Sequence, residues 1–320
     1  MKTILGGLIA AIALAAAAPA YSQNYPTKPV RIIAPFAPGG GTDFIARQVA
    51  DRLGQKLGQP VLVDNRPGAG GNLGAELAIK SPADGYTLLL IAGSFTVNAS
   101  LYKLPYDSGT DISPIIQLSQ GPFVVVVPNS VKANNLKDFI AQAKAQPDKL
   151  SYASAGAGSI THLATELFLD MAKIKIVHVP YKGTGPAQTD TIAGTTQLLF
   201  GSVATTLPFV KQGRLKALAV TTPKRIAAAP EIPTVSEAGV PGYEVILWHG
   251  LIGPKGIPKP IVDKLNAAAN EVMKAKEMEE KLAGEGVTPA GGSSEDFGKL
   301  IKSDIARWAK VVKQANVKIE

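Results

Sequence analysis

The chain contains no cysteine. Disulfide staples, thiolate metal sites, cysteine nucleophiles and a lipid-modified N-terminal cysteine are therefore excluded. Histidine is scarce as well. His162, His178 and His249 are the only three, and none has the H-E-x-x-H spacing of a zinc helix. No G-x-S-x-G elbow marks a serine hydrolase. Beyond residue 22 no unbroken apolar run reaches about 18 residues, so no membrane span is expected there. The 33 Lys and Arg outnumber the 25 Asp and Glu, a net charge of +8. These bases are scattered, with no stripe interleaved with aromatics. That argues against nucleic-acid binding and fits solubility or mild steering of anionic solutes.

What is present is ample apolar material, 46% of 320 residues, at a length that suggests two domains. Residues 1–22 place Lys2 before an apolar stretch, Ile4 to Ala18, and finish in small residues. That order is a secretory signal peptide, expected to be cleaved after Ser22 or, alternatively, Ala20. An exported chain without cysteine or a later anchor reads as bacterial and periplasmic, or secreted, and the periplasm is the expected location.

Along the rest of the chain, strand and helix patterns alternate. PVRIIAPF (29–36) reads as a strand, and a helix from about Thr42 carries Ile45, Val49, Leu53 and Leu57 on one stripe. VLVDN (61–65), a glycine-rich turn (66–72), a short helix (73–81) and a strand (86–93) follow. The rhythm restarts with a strand at 123–127 and a helix at 134–146, then strand, glycine loop and helix over 150–172. Further strands are expected at 174–181, 196–203 and 215–222. Such alternation predicts parallel sheets covered by helices, in two lobes facing a cleft. The end differs, with one long helix expected over 254–286 and another over 293–317. The second opens on a Ser293–Asp296 capping pattern and carries Phe297, Ile301, Ile305, Trp308 and Val312 on one stripe.

Two glycine loops sit where a strand ends and a helix begins: APFAPGGGTDF, and ASAGAGSITH after Ser154. Neither holds the Lys of a phosphate loop, and the strand after the second lacks the acidic residue of a dinucleotide site. Glycines there can serve geometry alone. They also leave free N–H groups at a positive helix end, a seat for a carboxylate that needs no Lys. Asp43 is expected to cap its helix. A Ser154/His162 pair can be drawn, but its spacing proves no catalysis.

Six stretches follow one another in family order: YPTKPVRIIAPFAPGGGTDFIAR, VDNRPGAGGNLGAELAIKSPADGYTLL, LSYASAGAGSITHLATELF, VPYKGTGPAQTD, GRLKALAVTTPKR and PTVSEAGVPGYEVILWHGLIGPKGIP. The chain resembles the substrate-binding proteins of tripartite tricarboxylate transporters, the Bug proteins. That resemblance implies an α/β fold of the type II periplasmic binding protein kind. It has two lobes, a ligand cleft between them and C-terminal helices packed on the first lobe. The boundaries expected are 23–125 and 249–320 for lobe one and 126–248 for lobe two, with crossings near Gln120 and Trp248. Carried onto this sequence, the ligand-binding residues are Phe36, Gly40, Gly41, Thr42 and Asp43 from lobe one. From lobe two they are Ser154, Ala157, Gly158, Ser159 and Thr161, with Ser94 and Ser202 toward the ligand's far end. The implied role is a periplasmic receptor, monomeric and without a cofactor, that hands a small carboxylate to inner-membrane permease subunits. Two alternatives stay open: a module that presents the ligand to a sensor kinase, and an exported hydrolase using Ser154 or Ser159.

Overall fold

The computed structural model describes residues 25–284 and 286–314, so the expected leader (1–22) lies outside the described residues. The first lobe begins β1 (Val30–Ala34), α1 (Gly41–Leu57), β2 (Val61–Asn65), α2 (Asn72–Ile79), β3 (Thr87–Ala92) and α3 (Gly93–Leu101). The long β4 (Ile112–Pro128) leads into α4 (Leu136–Ala145), β5 (Ser151–Ser154), α5 (Ile160–Ala172) and β6 (Val177–Pro180). Then come α6 (Thr184–Ala193), β7 (Leu198–Ser202), α7 (Val203–Lys211) and β8 (Leu215–Val220). The chain returns through β9 (Ile246–Pro254) to α8 (Lys259–Lys274), α9 (Lys276–Gly284), β10 (Thr288–Pro289) and α10 (Ser294–Gln314).

The strands order as β2-β1-β3-β9-β4-β7-β5-β6, with β8 and β10 also pairing β4. Pairings of β1 with β2 and β3, and of β5 with β6 and β7, are parallel. Parallel strands covered on both faces read as nearly unbroken apolar runs, as in TLLLIA of β3. β9 runs antiparallel between β3 and β4. β4 pairs with β9 from Ile112 to Pro122 and with β7 and β8 from Phe123 onward. One strand thus belongs to both lobes. Its second half shows the two-residue period: Phe123, Val125 and Val127 enter one apolar cluster, Val124 and Val126 another.

The stripe expected on α1 is buried, and the helix ends at Gly58, whose φ of 70° is left-handed. Ser293 Oγ accepts from Asp296 N at 3.0 Å, forming the expected cap of α10. From α10, Phe297 and Ile301 pack with Ile91, Phe95 and Trp248.

Three corrections concern local structure. The segment 254–286 is not one helix: β9 ends inside it, and the helical part breaks at Ala275, which is extended at ψ 129°. The first half of β4 and all of β9 were absent from the strand pattern, because Pro114, Gly121, Gly250 and Gly253 interrupt it. Helices α3, α6 and α7 were not anticipated either; each has only nine or ten residues, rich in Gly, Ser and Thr, and α7 contains Pro208.

Candidate functional site

Five helices begin at the gap between the lobes. α1 starts after Gly40, α3 after Ala92, α5 after Ser159, α6 after Gly183 and α7 after Ser202. The reason is topological: each follows a strand of a parallel unit, so each turns at the strand's C-terminal edge. The starts of α1, α3, α6 and α7 have no side-chain cap. Only α5 has one, where Ser159 Oγ accepts from His162 N at 3.2 Å. First-turn N–H groups have no partner inside their helix, and the helix dipoles add partial positive charge.

These starts enclose a cavity of about 20 Å³. Its lining includes Gly40 before α1, Gly41 and Thr42 from α1, Ser94 from α3, Ile160 and Thr161 from α5, Thr184 from α6, and Ser202. Phe36, Ala92, Phe123, Ala155, Leu247 and His249 complete it. No Lys, Arg, Asp or Glu is among these lining residues. The chemistry on offer is a seat for an anion built from N–H dipoles and hydroxyls.

The volume suits about one water, since a water needs roughly 10–15 Å³. The lobes are closed on it. Ala37 N donates to Lys182 O at 2.9 Å, and Ile160 N to Ser94 Oγ at 2.9 Å. Tyr102 Oη donates to Ala157 O at 2.9 Å. A larger solute enters only when these contacts part.

Of the residues carried over from the sequence, Phe36, Gly40, Gly41, Thr42, Ser94, Thr161 and Ser202 line the cavity. Asp43, Ser154, Ala157, Gly158 and Ser159 stand behind the lining and hold the two loops. Asp43 is not the helix cap; that position is Gly40. The Asp43 carboxylate turns back to accept from Gly39 N at 3.1 Å, Asn65 Nδ2 at 3.0 Å and Arg47 Nε at 3.0 Å. Burial pushes its pKa up, but these donors outweigh burial and hold it below the usual carboxylate value. Asn65 Nδ2 also donates to Phe36 O at 2.9 Å, tying β2 to the first loop.

Behind the second loop, Ser154 Oγ accepts from Gly156 N at 3.1 Å and lies 2.6 Å from His178 Nε2. His178, not His162, is thus the partner of Ser154. The His178 ring stacks on His162 at 4.1 Å and on Tyr152 at 4.8 Å. His162 Nδ1 in turn accepts from Gly158 N at 3.2 Å. Burial lowers the pKa of His162 to about 4 and that of His178 to about 3, so both are neutral. Ser154 is fully buried and off the cavity, which leaves its hydroxyl in a structural role.

Ala92, Phe123, Ala155 and Ile160, which lie on expected strands, loops or helices, were not named as lining residues, and Thr184, Leu247 and His249 were missed altogether. Thr184 opens a helix that the sequence did not announce, and the other two sit on the unanticipated β9.

Comparison with known proteins gives consistent findings. The family model described as tripartite tricarboxylate transporter family receptor matches residues 45–317. Protein BugT of Bordetella pertussis is 37% identical over 323 residues, covering 100% of this chain and 98% of that protein. The structure of Rpa4515 from R. palustris with adipate has 37% identity and a TM-score of 0.89, covering 92% of this chain and 99% of that one. The structure of MatC (Rpa3494) from Rhodopseudomonas palustris with bound malate has 30% identity and a TM-score of 0.87, covering 90% and 100%.

Proposed function

This chain belongs to the tripartite tricarboxylate transporter receptor family, and from that premise we propose that it captures a small organic carboxylate between its lobes for delivery to a membrane permease. The family is one of periplasmic solute-binding receptors, not enzymes. The observation that carries the carboxylate reading is the convergence of five helix N-termini on a cavity without a cationic lining residue. Such a wall favours a planar anion of modest charge over a phosphate, which in a nucleotide loop is usually met by a Lys as well. The relatives solved with adipate and with malate point the same way.

In this reading the lobes are residues 23–125 with 249–320, and 126–248. They move about the paired stretch where Gln120 lies opposite Trp248 in the β4–β9 register. The proposed location is the periplasm. Family membership and the leader-like order of residues 1–22 support it, and no helix among the described residues is long and apolar enough to cross a membrane.

The test is calorimetry and thermal unfolding of the mature protein with succinate, malate and adipate, and with the corresponding diamines as controls. A true ligand at 100 times its Kd adds about 2.7 kcal/mol of stability. The expected result is a saturable shift with at least one acid and none with the diamines. No response to any acid, or a response to the diamines, overturns the reading.

A further inference from the structure

His249 is 3% exposed and reaches the cavity from β9, with Ala92 of β3 and Ser119 of β4 as its register partners. It is the only ionisable residue in the lining. One ring nitrogen is engaged: Nδ1 lies 3.1 Å from Ser119 Oγ. The other, Nε2, is buried with no hydrogen-bond partner. A buried polar atom left unpaired costs about 1–3 kcal/mol, so it calls for a partner.

The proton on this ring can be placed. Ser119 is completely buried, and among the described residues its hydroxyl has no acceptor other than His249 Nδ1. If Nδ1 carried the proton, the Ser119 O–H would be stranded. With Ser119 donating to Nδ1, the ring proton sits on Nε2, the unpartnered nitrogen of a residue that lines the cavity. Burial lowers the imidazole pKa to about 3, so the ring is neutral and has one N–H to give.

The other donors bear on which oxygen receives that N–H. A carboxylate has roughly four lone-pair positions. The uncapped starts of α1, α3, α6 and α7 already leave first-turn N–H groups for these positions. The His249 N–H is surplus to a single carboxylate.

We propose that His249 donates its Nε2–H to a second oxygen acceptor on the ligand, so that the site selects acids carrying a second carboxylate or a carbonyl over simple monocarboxylates. This rests on the carboxylate reading above and narrows it. Ser119 is then a positioning residue that sets the tautomer.

Two measurements test it. Nitrogen NMR of the ring in the ligand-free protein is expected to show the Nε2–H tautomer. In Ser119→Ala that preference is expected to weaken; finding Nδ1–H in the wild type overturns the proposal without any ligand. Calorimetry then compares adipate with hexanoate and succinate with butyrate, in the wild type, His249→Leu and His249→Gln. The diacid of at least one pair is expected to bind about tenfold tighter than its monoacid. His249→Leu should weaken that diacid about tenfold and the monoacid less than about twofold, while His249→Gln, which keeps an N–H in a similar place, recovers part of the loss. Equal loss for both acids, or no loss, overturns the role of His249 and leaves the carboxylate reading standing. Failure of every acid to bind overturns both.

Discussion

Gly41 and Ser202 face each other across the closed cleft so tightly that a Cβ on Gly41 would stand 2.7 Å from Ser202 Oγ. Gly41 begins α1, and Ser202 precedes α7. The glycine is required by this approach and not by a left-handed φ, which Gly41 does not have. Gly41→Ala is therefore expected to hinder closure and weaken carboxylate binding about tenfold, within the range of overpacking costs. Ser202→Gly in the same chain should restore much of the affinity. Calorimetry of the single and double variants checks this; undiminished binding by Gly41→Ala would show that the lobes need not meet here.

Asp43 makes a different prediction, because it braces the first loop from behind the cavity. Asp43→Asn loses the charge that faces Arg47 but keeps an acceptor for Gly39 N. The expected loss is about 1 kcal/mol of stability at neutral pH, held down by the half-exposed Arg47 partner. Ligand affinity should change less than about twofold. A folded carboxyl with a lowered pKa stabilises above its unfolded value and loses that contribution as pH falls below it. The wild type should therefore show an acid-dependent loss below about pH 4 that the variant lacks. Urea unfolding at several pH values reads both effects, and abolished binding would mean that Asp43 touches the ligand.

The three histidines set a higher pH window. All have folded pKa values lowered by burial from 6.5, to about 4 for His162 and about 3 for His178 and His249. Below about 6.5 the unfolded chain takes up protons that the folded chain refuses. Stability is thus fully present above that pH and falls on acidification, by up to about 1.4 kcal/mol per pH unit per histidine. Denaturation midpoints between pH 7 and 5 should drop steeply, and His178→Phe should flatten the slope by about one third. A flat profile in the wild type would contradict the buried neutral stack.

Tyr102 is a latch between lobes, through its hydroxyl on Ala157 O. Removing one such bond with Tyr102→Phe should favour the open form by about 0.5–1.5 kcal/mol and weaken binding roughly two- to tenfold. Solution scattering with saturating ligand should show a smaller radius than without it, and Tyr102→Phe should need more ligand to reach that radius. Scattering unchanged by ligand would argue against a closing cleft.

Much of this was legible in the sequence because it is local. Apolar periodicity announced α1 and β3, and Ser293 with Asp296 announced the start of α10. Glycines between strand and helix marked two of the five helix starts around the cavity, and seven residues named from those loops and their surroundings line it. The other three starts are short helices with weak local signals, which form because β3, β6 and β7 end at the same edge of the sheet. β9 likewise has no clean period, since it is defined by pairing β3 on one side and β4 on the other. His249 depends on that pairing. The sequence fixes only that a histidine stands at position 249. The burial that keeps it neutral, the Ser119 hydroxyl that orients its proton and the cavity it lines come from strands far apart in the chain, brought together by the tertiary fold.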